Sequence, residues 1–319
     1  MNMKCKICGN VNNNKIIQVK ERITEEGKNF DYLQCSACKS VMLNEKIEDI
    51  SKWYPSSYSP YLKRNKKKRS LAEKLRMKII FSVIIHLKNR NIFQKVLRIR
   101  DFDILLKRMY GTKINKKDRI VDVGCGDGHW LDYLVELGYK NVTGIDLFVP
   151  EKNMNSCNWK FIKGDIFSLQ GKYDCIILNH SFEHMNNPQE VLEKIERHLS
   201  DSGICVISVP VANGIAYRKY KNFFSQFDAP RHLFLHTEKG MKIMCKDAHL
   251  RVENVLYDSN ERIFYFSECL KRTDLLFEEI KQNDFPEYCY KAIKIDKVIK
   301  SNLNSKGDQA IFYITKSKN

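Results

Sequence analysis

Hydrophobic positions along this chain change their period twice. Over residues 15–43 the short apolar runs "KIIQVK", "FDYLQC" and "SVML" alternate or cluster as β-strands do, with polar turns between them. After the turn-like "YPSSYSPY" the spacing becomes helical, in "SLAEKLRMKIIFSVIIHL" and then "NIFQKVLRIRDFDILLKRMY". From Arg119 strands and helices take turns: "RIVDVG", "HWLDYLVELG", "NVTGID", "WKFIKGD", "YDCIILN", "PQEVLEKIERHL", "GICVISVP". Beyond Thr237 follow a helix ("EKGMKIMCKDAHL"), a strand ("RVENVLYD"), a charged helical stretch and a last strand, "QAIFYIT". Strands alternating with helices imply right-handed crossovers and a parallel sheet. The pattern divides the chain at 1–50, 51–117 and 118–319 and shows no internal repeat.

Composition adds little to this picture; charge adds more. A length of 319 residues suffices for a catalytic domain and an accessory piece. The net charge is +17, and from Lys63 to Lys117 nineteen Lys and Arg stand against three acids. Nearly all of the surplus therefore sits in one stretch. Residues 63–100 join those cations to an apolar helical face, which suits peripheral contact with an anionic membrane. Nucleic acid is the alternative partner, disfavoured by the few aromatics interleaved for base stacking. A third reading is a solvated linker into helices that cover the sheet. The longest apolar run, "IIFSVIIHL", is nine residues, against the roughly twenty that span a bilayer. With a polar start and most of its eleven cysteines scattered singly, several in apolar runs, the chain reads as cytoplasmic, at most peripheral to the inner membrane face.

The chemistry concentrates in "VDVGCGDG", where Gly124, Gly126 and Gly128 follow a strand, and in Asp146, which closes the next one. Glycine permits positive φ and close approach of a ligand to the main chain. A carboxylate ending the second strand is placed to accept hydrogen bonds from ribose hydroxyls. Asp122 and Asp127 flank the turn, and two carboxylates there would repel a pyrophosphate but suit a cationic nucleoside.

With "GIDL", "KGDIF" and "YDCIILNHSFEHMNNPQEVLEKIERHLSDSGICVISVP" added in order, residues 118–316 resemble the class I S-adenosylmethionine-dependent methyltransferases. The resemblance implies an α/β, Rossmann-like seven-stranded sheet, mostly parallel with the last strand antiparallel. It also implies roles. Residues matching Asp122, Gly124, Gly126 and Gly128 hold the methionine portion, and Asp146 the ribose. Asp165 would reach the adenine amine, and Asn179 and His180 would border the methyl group. Cys125, Asp127, Leu147 and Ile166 lie beside these as further cofactor contacts.

Two C-x-x-C pairs, Cys5/Cys8 and Cys35/Cys38, have the spacing of a closed structural zinc shell, Zn2+ in a small N-terminal ribbon. A zinc ribbon leading through "YPSSYSPY" into such a domain resembles a bacterial subgroup tied to surface-polysaccharide and sugar biosynthesis. The chain stops soon after its last strand, which favours O-methylation of a saccharide or nucleotide sugar over C-methylation. RNA methylation is the alternative, but "NHSFEH" stands where amine methylators of bases carry an N/D-P-P-Y/F type motif. Proton removal from a hydroxyl suits histidine. His232, in a D-x-P-R-H-like loop, and His180 compete for that role against simple positioning, with Asp228 as the orienter of His232. Arg231 and His184 are expected to touch substrate.

Overall fold

The computed structural model describes residues 3–24, 27–54, 69–97, 104–150, 157–273 and 295–317. The lysine run at 63–68 lies outside the described residues.

Short strands β1 (Lys15–Lys20), β2 (Asn29–Gln34) and β3 (Val41–Leu43) pair antiparallel. Helix α1 (Leu71–Ile84) begins at a capping box, in which Ser70 and Glu73 satisfy each other's backbone N–H. Such a cap is worth about 1 kcal/mol. Helices α2 (Arg90–Leu97) and α3 (Ile104–Arg108) follow. The alternating region then forms β4 (Arg119–Val123), α4 (His129–Glu136), β5 (Asn141–Asp146), β6 (Lys160–Lys163), β7 (Tyr173–Asn179), α5 (Pro188–His198), β8 (Leu199–Pro210) and α6 (Ile215–Tyr220). Strand β9 (Phe234–Leu235), α7 (Glu238–Asp247), β10 (Leu250–Tyr257), α8 (Glu261–Thr273), α9 (Ile295–Leu303) and β11 (Gln309–Lys316) complete the chain.

The main sheet has seven strands in the order β10-β11-β8-β7-β4-β5-β6. Pairings among β4 to β8 are parallel, and β11 runs antiparallel to both of its neighbours. The central strands bury both faces, so their residues divide between two layers. On β7, Ile176 and Leu178 enter one core while Cys175 and Ile177 enter the other. Strand order reverses between β4 and β7, which opens a crevice at their carboxyl ends.

The N-terminal sheet departs from the expectation of a ribbon made by residues 1–50 alone. Its fourth strand is β9: Val41 pairs with Leu235 and Met42 with Phe234. Three short strands leave an unpaired edge, and β9 covers it. Tyr32 and Phe227 pack edge to face at 5.2 Å in the same core. The small sheet is thus built onto the loop before α7.

Candidate functional site

The turn after β4 is made of glycines in the left-handed region. Gly124, Gly126 and Gly128 have φ of +78°, +54° and +66°. At Gly124 sterics forbid a side chain as well, since a Cβ would meet Ser181 Cβ at 2.5 Å. The strand end therefore presents bare backbone to the crevice.

Asp146, buried at the end of β5, ties this turn down. Its Oδ2 accepts from the Gly126 N–H at 2.9 Å, and its Oδ1 accepts from the N–H groups of Phe148 and Val149 at 2.8 and 3.0 Å. Asp122 sits deeper. One oxygen accepts from the Trp130 indole at 2.7 Å, and the other, Oδ1, is buried with no partner among the described residues. Burial pushes this carboxyl up to about 7; Asp146 adds to that and the Trp130 hydrogen bond opposes it. When ionised, such a half-satisfied acid beside bare glycine backbone can pair with a cation.

Around the ends of β5 and β6 the surface is unusually apolar. Leu147, Phe148 and Phe167 are each about half exposed. Asp165 is exposed and accepts from the Phe167 N–H at 2.9 Å, whereas Ile166 is buried behind it. Asp127 accepts from the His129 N–H at 3.1 Å just before α4, and Cys125 is buried in the turn. Asn179 accepts from Arg108, which is itself paired with Asp258 at 2.6 Å.

Just beyond β7, three imidazoles surround one carboxylate. Glu183 is fully buried, with Oε1 3.2 Å from His180 Nδ1 and Oε2 unpartnered among the described residues. Burial alone would raise its pKa, yet the histidines hold it down at about 2, His180 foremost and then His184 and His232. His180, at φ +51°, also meets the Gln309 amide at 3.1 Å through Nε2. His184 Nδ1 lies 2.8 Å from the Arg231 carbonyl and 3.3 Å from the Tyr54 hydroxyl. Burial lowers the His184 pKa, and His232, ring centroid 4.7 Å away, lowers it further. His232 Nδ1 faces the Gln226 carbonyl at 2.8 Å. Its Nε2 points between Glu183 Oε1 at 3.9 Å and Asp228 Oδ2 at 3.8 Å.

Two expectations are corrected by burial. Arg231 does not offer its fork to a substrate: it is 1% exposed. Its Nε and one terminal nitrogen bind Asp228 at 3.1 and 2.8 Å, and the other donates to the Trp53 carbonyl and lies 3.6 Å from Glu21. Asp228 is correspondingly occupied, so the group that orients the His232 ring is the Gln226 carbonyl. Glu183 escaped the sequence reading altogether. The only signal was an acid three residues after His180 and adjacent to His184; Gln309 and Tyr54 gave none.

The four paired cysteines converge. Cys5 Sγ lies 3.7 Å from Cys38 Sγ and Cys8 Sγ 3.5 Å from Cys35 Sγ, and all four sulfurs fall within 4.8 Å of one another. None of the ten described cysteines is in a disulfide. Backbone N–H groups of Ile7, Ala37 and Cys38 reach the sulfurs of Cys5 and Cys35 at 3.4 Å. Such donors stabilise thiolate ligands.

Residues 90–255, just over half of the chain, match the family model described as a methyltransferase domain. Malonyl-(acyl-carrier protein) O-methyltransferase of Bacillus cereus is 29% identical over 142 residues, 42% of this chain and 52% of that protein. The enzyme of the same name from Bacillus anthracis is 33% identical over 111 residues, 32% of this chain and 40% of that one. The chain thus spans about half the length, or less, of these curated relatives. Among solved structures, coclaurine N-methyltransferase bound to N-methylheliamine and SAH is similar at 15% identity and a TM-score of 0.43, over 78% of this chain and 90% of that one.

Proposed function

Because the chain belongs to the methyltransferase domain family, we propose that it is an S-adenosylmethionine-dependent methyltransferase acting on a saccharide hydroxyl. The acceptor would be a nucleotide sugar or a growing surface glycan, as in capsule or lipopolysaccharide assembly. The observation that carries this reading is the cluster of three imidazoles around buried Glu183, gathered from the turn after β7 and the loop before β9.

The donor set suits the cofactor. Asp122 Oδ1, buried and unpartnered among the described residues, would take the ammonium group. Asp146 would exchange backbone donors for ribose hydroxyls, Leu147, Phe148 and Phe167 would flank the base, and Asp165 would meet its amine. When bound, S-adenosylmethionine supplies an electrophilic methyl group to a nucleophile held in line.

A hydroxyl becomes a good nucleophile only as its proton leaves, and His232 is arranged to receive it. Nδ1 donates to the Gln226 carbonyl, so Nε2 carries the lone pair. Nε2 lies 3.9 Å from Glu183 Oε1 and 3.8 Å from Asp228 Oδ2, so a proton arriving there would have a carboxylate on either side. His180, held between Glu183 and Gln309, is the second choice, and His184 completes the wall against which the acceptor rests. Cys5, Cys8, Cys35 and Cys38 would hold a structural Zn2+.

The names of the matched relatives favour a different acceptor, the free carboxyl of a malonyl thioester. A carboxylate is already ionised at neutral pH and needs no base, so the histidine wall favours a hydroxyl. The test is transfer of labelled methyl to a panel of nucleotide sugars and to malonyl acyl-carrier protein. Sugar methylation that falls ~100-fold in His232→Ala with cofactor affinity intact supports the reading. Methylation of the malonyl thioester that survives the substitution would overturn it.

A further inference from the structure

Helix α1 has two apolar faces. Met77, Phe81 and Ile84 are buried, with Phe81 edge-on to Tyr139 at 6.0 Å. On another side Leu71, Leu75, Ile79 and Val83 are 87%, 60%, 58% and 50% exposed. Single exposed apolar residues are ordinary on a protein surface, but four in a row one turn apart are not. At about 100° per residue, positions four apart drift by about 40°, so the four form one band roughly a third of the way round the helix. On the same geometry Lys74 and Lys78 border one edge of the band and Arg76 the other. Glu73 is the helix's sole acid, and the capping box holds it at the first turn.

The band lies away from the crevice. Tyr139 precedes β5, and Arg69 pairs with Glu136 at the end of α4 at 2.9 Å. The Ile84 and Ile85 carbonyls accept from the N–H groups of Gly111 and Lys113, upstream of β4. All these contacts sit at the amino ends of the strands, whereas the glycine turn sits at their carboxyl ends. A lid over the cofactor site is therefore not what this face provides. No described helix is long and apolar enough to cross a membrane.

We propose that α1 lies flat in the headgroup layer of an anionic phospholipid surface. Its band of Leu71, Leu75, Ile79 and Val83 would turn inward, and Lys74, Lys78 and Arg76 would rest on lipid phosphates. An apolar strip edged by cations with no acid facing it is what such a surface selects. A second copy fits less well, because pairing two bands would bring their lysine borders together. Nucleic acid would satisfy the lysines and leave the apolar band in water.

The experiment is sedimentation of the whole protein with vesicles of phosphatidylcholine alone, or with about a third phosphatidylglycerol. Binding should require the anionic lipid, weaken with salt, and fall about tenfold or more in L75E/I79E. Because both residues are exposed, that variant should keep its melting temperature and its cofactor binding. Three results overturn the proposal: no binding to either vesicle, equal binding to both, or unchanged binding by the folded variant. A concentration-dependent dimer that L75E/I79E abolishes would overturn it too and assign the band to self-association.

Discussion

The phenol of Tyr32 donates a hydrogen bond across 3.0 Å to the backbone carbonyl of His232, 200 residues away in sequence. Both groups are buried, so neither can turn to water. A strand of the small N-terminal sheet therefore props up the loop that carries the proposed base. Tyr32→Phe removes the donor and leaves the carbonyl unsatisfied, which should cost about 1–2 kcal/mol of stability. Turnover should drop severalfold while cofactor affinity stays level. Parallel kinetics and calorimetry check this, and equal losses in both would mean that the hydrogen bond is merely structural.

Metal loss should propagate along the same route. Thr237 Oγ1 donates to the Cys38 carbonyl at 2.6 Å, and the Leu43 N–H donates to the Leu233 carbonyl at 2.8 Å. Chelation or Cys35→Ser should lower stability by at least ~3 kcal/mol, because metal binding and folding of such a module are one process. Elemental analysis should give one zinc per chain in the parent and none in the variant. An unchanged thermal melt after complete chelation would refute the structural role.

Asp122 makes a prediction about pH. Its folded pKa is raised from 3.8 to about 7. Without ligand, its contribution to stability is complete below about pH 4 and is lost as pH rises through 7. A cationic ligand needs the ionised form, so cofactor binding should tighten about tenfold between pH 6 and 8. Asp122→Asn should bind weakly and show none of this dependence when titrated by calorimetry.

His236 works in the opposite direction. It is fully buried between Phe182 and Phe234, at centroid distances of 4.9 and 5.5 Å, and neither ring nitrogen has a partner among the described residues. Burial lowers its pKa from 6.5 to about 4. Keeping it neutral stabilises the fold above pH 6.5, and that stability is lost as pH falls toward 4. The full effect is about 3 kcal/mol, at about 1.4 kcal/mol per pKa unit. His236→Phe should hold its stability at pH 7 and flatten the decline between pH 6.5 and 4 in denaturant titrations. A decline as steep as the parent's would place the acid sensitivity elsewhere.

Features settled within a few residues were legible along the chain. The period change at Arg119 announced the parallel sheet, and "VDVGCGDG" announced a turn that only glycine can make, because φ is a local variable. The cysteine pairs were legible for the same reason, since each C-x-x-C knuckle is a single local turn. The fates of the charged residues depended on the assembled fold. Arg231 looked like a substrate fork until Glu21, Trp53 and Asp228 closed around it from three parts of the chain. Glu183 went unremarked in the sequence because only the fold buries it among three imidazoles. The solvation of a charge depends on which distant segments exclude water from it, and spacing along one strand or loop carries no record of that.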